Sequence, residues 1–383
     1  TAGVGASADF GVLVKTTEAL VENGANIKAK KDVRVNAQSD EDIISVAANL
    51  QFSGGTAVAG AASSYVAVTE TRAAIKENAN VQAEGNVVVN AESDALFIQA
   101  AGQITGASSV GVGISNALLT HVDLTEAYVG DNATVFAGGT RGGVDVPIQF
   151  ADARGLIVTA DSREQSIAVS FGGSGAGGTS VVGTLIERAL VEDTLAYIGK
   201  SAKINENNTG ADQTVFIAAV SDTELDGGAG VISGAGTVGI GAALDLGLVL
   251  KTTEAYIDEA TTVQANRDVI VRSESDEVIN SLTGNVSFGG TVGIAGAANV
   301  FGFFTQTTAS IRDNATVTAN GNVIVNGEDD MTSRLAQGTL GLSGTVAVGG
   351  GTAALVHIDE TDAWIGKNAR ITAKGTKPSY SVS

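Results

Sequence analysis

The chain of 383 residues carries 42 acidic and 22 basic side chains for a net charge of −20, has no cysteine, and is 44% hydrophobic but only 4% aromatic. This balance excludes a disulfide scaffold or thiolate metal site, makes nucleic acid and anionic lipid poor partners, and leaves Ala, Val, Ile and Leu to form a core in which Phe, Tyr and Trp normally contribute more. The 50 glycines follow no Gly-X-Y period, which excludes collagen, and no apolar run is long and uninterrupted enough to cross a membrane as a helix.

Taken in chain order, the sequence returns to itself. The run TTEALVENGANIKAKKDVRVNAQSD from Thr16 is echoed by ETRAAIKENANVQAEGNVVVNAESD from Glu70, by TTEAYIDEATTVQANRDVIVRSESD from Thr252 and by TTASIRDNATVTANGNVIVNGEDD from Thr307. One alanine anchors each copy: Ala19, Ala73, Ala127, Ala196, Ala255, Ala309 and Ala363. The spacing is 54 residues, with two longer intervals that read as loop insertions at about 140–154 and 205–211. Threonine stands two places before every anchor, from Thr17 to Thr361. Val or Ile stands two places after it, as in Val21 and Ile75, and again eight places after it, as in Ile27 and Val81. The whole chain, 1–383, is therefore a single repeat array, and a chain that opens and closes partway through a unit predicts a segment of a longer protein with further copies.

Within a unit the period is two. NVVVN at Asn86 and ATVTA at Ala315 read as strands separated by turns such as DNA and NG. The second half, as in ISVAANLQFSGGTAVAGAASSYVAV from Ile44, alternates branched residues with Gly, Ala or Ser, one face branched and the other nearly bare. No unit of this kind can bury its own apolar face, whereas stacked units can, at about 4.8 Å per layer. The predicted fold is all-β: an elongated parallel β-solenoid in which Val and Ile ladders point inward and Thr and Asn ladders bond along the stack. Whether 54 residues make one coil or two stays open at this point.

The run TEAYVGDNATV from Thr125, with VNAESD and the GGTVGIAGAA type of stretch, resembles repeats of very large secreted bacterial surface proteins, the leukotoxin-like and filamentous-haemagglutinin-like adhesins. The resemblance covers essentially the whole chain. It implies a structural or adhesive segment of a secreted or cell-surface protein, a stiff stalk or extracellular matrix element, with the repeat region of a secreted toxin as the alternative. It transfers no catalytic residue. The partners it implies are a host-cell or matrix glycan or protein, or further copies of the chain in self-association.

Candidate chemistry is sparse. Asp40, Asp94, Asp222, Asp276 and Asp330 recur at one repeat position, with Asp161 and Glu164 near that corner in the unit with the long insertion. Stacked carboxylates repel, and calcium would relieve this because it takes six to eight oxygens; a solvated strand end needs no ion, and the calcium-binding nonapeptide is absent, so no cofactor is expected. His121 and His357 share a position occupied by Leu13, Ala67, Leu190, Val249 and Phe303 in other units, which favours packing over an acyltransferase role. No P-loop occurs. The residues that break the period are Arg141 to Gly155, and function tends to sit where a solenoid departs from its repeat. Arg141, Asp145, Phe150, Asp152 and Arg154 are the expected ligand-binding loop, with a polysaccharide-active β-helix enzyme as the less favoured reading. Tyr128, Tyr197, Tyr256 and Trp364 form one further stripe that could face a ligand, and the Thr column lacks the paired partner that an ice-binding face needs. The expectation is a non-enzymatic protein.

Overall fold

The computed structural model describes residues 1–140, 153–206 and 212–376. Every described element of regular structure is a β-strand, and the chain is a parallel β-solenoid with one coil per 54-residue repeat. In the first coil a long leading strand, Ala2–Val21, turns into a short corner strand, Asn26–Ala29, and then into a long return strand, Val33–Ser53. Gly54 and Gly55 reverse the chain into Thr56, which opens the next leading strand. Corresponding strands stack in register, so Ala19 lies beside Ala73 and Val33 beside Val87. Three parallel sheets result among the described residues: seven leading strands, seven corner strands and six return strands.

Leading and return strands of 20 and 21 residues reach across roughly 65 Å, while seven layers rise only about 30 Å. The segment is a broad blade, wide at the corner sheet and closed to a thin edge at the Gly-Gly turns. Both insertions leave from one place, between corner and return strands, after Ala137 and after Ile204. The leading ladder crosses them without a slip, pairing Thr125 with Thr194 and Thr194 with Thr253.

The turn from leading to corner strand has a fixed backbone device. The fifth residue after each anchor has positive φ: Gly24 at 70°, Asn78 at 57°, Asn132 at 55°, Ser201 at 57°, Ala260 at 55°, Asn314 at 60° and Asn368 at 57°. The left-handed conformation aims the amide along the stack, so Gly24 donates to the Glu77 carbonyl at 3.0 Å and Asn78 to Asp131 at 2.9 Å. Asn tolerates this region better than other side chains, which accounts for the DNA and ENA turns in the sequence. At the next corner Asp32 Oδ1 accepts from the Asn86 amide at 2.8 Å, and Asp268 repeats this with Asn322 at 2.7 Å.

The interior is layered along the strands. Nearest the corner sheet, Ile75, Val81, Val87, Val89 and their ladder mates form a fully buried aliphatic prism. A slab of ionisable groups follows, then one built on Phe97, Leu119, Leu190, Phe301 and Phe303. A second polar slab holds Arg188 and Asp245, paired at 2.7 Å with no exposure. Small residues such as Ala101, Ala117 and Ala243 close the thin half.

Two expectations change. In the thin half the bare face points inward and the branched one outward: Gly111 and Gly113 are buried while Ile114 is 60% exposed. Gln103 from the return sheet fills the space, so a Cβ on Gly113 would meet its amide at 2.0 Å. The threonine column is internal, but its hydroxyls do not bond along the stack. Thr125 donates to Asp123 in its own strand at 2.9 Å, and the buried hydroxyls of Thr71, Thr194 and Thr253 have no partner. Asparagines do form inter-coil bonds, as from Asn90 to Asn36 at 2.8 Å.

Candidate functional site

The ionisable slab arises from two facing columns. Four places before each anchor the leading sheet presents Lys15, Thr69, Asp123, Glu192, Lys251, Thr305 and Asp359, all directed inward. The return sheet answers with Glu41, Glu164, Thr223 and Glu277. Lys15 contacts Glu41. Lys251 Nζ lies 2.8 Å from Glu277 Oε1 and also donates to the carbonyls of Ser221 at 2.8 Å and Asp276 at 3.2 Å. These pairs repeat after four coils, as do Thr69 with Thr305, His121 with His357 and Asp123 with Asp359. Five residues of the slab thus recur once, four coils further on.

At the centre of the slab His121 Nδ1 is 2.7 Å from Glu164 Oε2, and Nε2 is 2.9 Å from Thr69 Oγ1. The Thr69 hydroxyl spends its one proton on Asp123 Oδ1 at 2.5 Å, so it can only accept from Nε2. Glu164 as a carboxylate can only accept from Nδ1. The ring is thus doubly protonated. Burial alone would lower its pKa, but the charges of Glu164, Asp123 and Glu192 and the hydrogen bond to Glu164 raise it to about 9. Glu192, held by Thr223 at 2.7 Å, is pushed up to about 8 by burial and by the neighbouring Glu164 charge. Hydroxyl, imidazole and carboxylate thus stand in the order of a nucleophilic triad, but an imidazolium cannot take the hydroxyl proton, and Thr69, His121 and Glu164 are each at most 3% exposed. This is an internal polar seam. Column counting missed it because its partners come from different sheets and mix five residue types.

The acidic column lies on the outer face of the return sheet. Asp40, Asp94, Asp222, Asp276 and Asp330 share one ladder, and the third-coil place belongs to Arg163 rather than to Asp161 or Glu164. Alternation decides this: Glu164 is one step along and points inward, while Asp161, two steps back, pairs with Arg163 at 2.7 Å. The guanidinium also lies 4.0 Å from Asp94 and 3.8 Å from Asp222. A groove of about 700 Å³ runs over these carboxylates. Arg163 supplies inside it the counter-charge that a cation would otherwise provide. Among the described residues one trio, Glu277, Asp329 and His357, brings donor atoms within 4.8 Å of one another; Glu277 is already neutralised by Lys251.

The aromatic stripe is on the outer face of the leading sheet. Tyr128 and Tyr197 stack at 5.0 Å, Tyr197 and Tyr256 at 4.7 Å, and Arg312 caps Tyr256 at 3.5 Å from the ring centroid. Ser310 separates Tyr256 from Trp364. Ring faces are used against each other and against Arg312, and Tyr197 donates to Glu126 at 2.9 Å. Of the insertion residues, Arg141, Asp145, Phe150 and Asp152 lie outside the described residues. Arg154 is half-buried, its carbonyl accepting from Thr214 at 2.7 Å, and Ala153 packs against the outward Val88, Ile157 and Phe216.

Comparison with known proteins adds no relative: no family model, no curated sequence and no solved structure matches this chain.

Proposed function

We propose that this chain is a structural and adhesive segment of a large exported bacterial surface protein, a stiff blade that holds binding regions away from the cell. The carrying observation is the register. Each leading strand pairs residue for residue with the next through seven coils, across both insertions. A stack of this kind transmits load through parallel rows of backbone hydrogen bonds, and its stability grows coil by coil. The resemblance of the repeat motifs to filamentous-haemagglutinin-like adhesins supports the same reading. The best arranged chemical groups, Thr69, His121 and Glu164, are closed off from solvent and in the wrong protonation state for nucleophilic attack.

The test compares beads coated with the chain for attachment to host cells and extracellular matrix, alongside release of reducing or unsaturated ends from a polysaccharide panel. Attachment without turnover is expected. Turnover of any glycan, lost on substitution of Asp94 or Arg163, would replace this reading with an enzymatic one.

A further inference from the structure

The outer face of the leading sheet divides in two. Near the corner sheet it carries charges such as Glu18, Arg72 and Glu126. From the Ala2 column to the Val14 column it is apolar or small, and among the described residues Glu187 is its single charge. Its most exposed ladder is aliphatic or aromatic in every coil, with Val68 at 40%, Val122 at 38%, Leu250 at 41% and Phe304 at 40% exposure. The face measures about 40 by 30 Å, on the order of 1,200 Å², well beyond the apolar patches of ordinary monomers. The charge is elsewhere: residues 43–69, 278–311 and 335–358 contain no Asp, Glu, Lys or Arg.

We propose that this face binds a second copy of the same chain, sheet against sheet, about a two-fold axis parallel to the solenoid axis. Three observations select that occupant. Two such faces would bury on the order of 2,400 Å², above the roughly 1,600 Å² of a standard stable interface. The axis turns the two blades end for end, so the thin apolar halves overlap while the acidic wide halves point apart and do not repel. Placed through the column of Ala8, Asn116 and Leu244, it sets Phe10, Leu246 and Val300 against the partner's small-residue column at Ala6, Ala242 and Gly296, while in the third coil Leu118 meets the outward Ile114. Phe10, Leu246 and Val300 then meet small residues at close sheet spacing, and Glu187 meets the open space over Gly183. Coils of both copies advance in one direction, so pairing continues however long the array is. The proposal does not rest on the adhesive reading.

Analytical ultracentrifugation of the chain, with and without Val122→Glu plus Leu250→Glu, decides it. Both side chains face outward, so the variant is expected to keep the parent's circular dichroism and melting temperature while its dimer dissociation constant rises more than about a hundredfold. Leu282→Glu on the opposite outer face is expected to leave the dimer intact. A parent that stays monomeric at 100-fold dilution and at the highest soluble concentration overturns the proposal. So does association that survives the double substitution, which would run end to end through the terminal strands, and so does a monomer that binds neutral phosphatidylcholine vesicles through this face.

Discussion

Lys251 and Glu277 face each other at 2.8 Å from opposite sheets with essentially no solvent contact, whereas the equivalent Lys15, four coils earlier, is 37% exposed in its side chain. The two pairs therefore differ in burial in this chain, Lys15 standing on the end strand of its sheet with a neighbouring coil on one side only. Lys251→Met strands a buried carboxylate and is expected to cost about 3–5 kcal/mol, while Lys251→Met with Glu277→Met restores most of it. Lys15→Met is expected to cost no more than about 1 kcal/mol. Chemical denaturation of the four proteins checks this. Equal losses at both lysines would show that burial does not set the value of the pair.

Two seam groups, and Asp161 beside Arg163, fix a pH dependence. His121, Glu192 and Asp161 all bind their protons more tightly in the fold than in an open chain, to about 9, about 8 and about 7. A raised pKa stabilises the fold below the unfolded value, and that contribution disappears as pH climbs through the folded one. Melting temperature is expected to fall from pH 6 to pH 9.5, and Glu192→Gln to make the fall shallower. A melting temperature that is flat or rises over this window contradicts the proton assignments.

Ala260 occupies the position held by Asn or Gly in most coils, with φ of 55°. Ala260→Gly relieves a left-handed Cβ, and stabilisation of about 0.5–1 kcal/mol is expected. Thermal melts read it directly, with Ala265→Gly, in the neighbouring corner strand, as the destabilising control.

For calcium the expectation is no change in melting temperature between chelator and millimolar ion, because Arg163 already sits between Asp94 and Asp222. Arg163→Asp completes the column and is expected to make stability calcium-dependent. Calcium stabilisation of the parent would mean that the carboxylates bind the ion despite the guanidinium.

Much of this architecture is legible in the sequence because a stacked coil repeats each environment. Val21, Ile75 and Val129 reveal one ladder, and the alanine anchors reveal the coil length. What stayed hidden lies between columns. Glu164 and Asp161 were placed near the acidic corner, and strand alternation puts Glu164 inside and gives the ladder place itself to Arg163. Gly113 belongs to the bare face of the alternation, but which way that face points was not legible, and its missing side chain makes room for Gln103, ten residues earlier on the opposite sheet. His121 was read as packing from its aliphatic counterparts; it does pack, tilted against Phe97 at 4.9 Å, but its charge depends on Thr69 and Glu164, which share no column with it.

The central claim is one coil per 54 residues, and cysteine pairs test it most directly because the chain has no cysteine of its own. Ser64 and Leu118 are ladder neighbours on the outer face of the leading sheet. With Ser64→Cys and Leu118→Cys together, a short bis-thiol reagent is expected to close the pair rapidly within one chain. With Ser64→Cys and Ala91→Cys, half a repeat apart, it is expected to leave both thiols free. Rapid closure of the second pair and not the first would mean two coils per repeat, and the blade described here would be wrong.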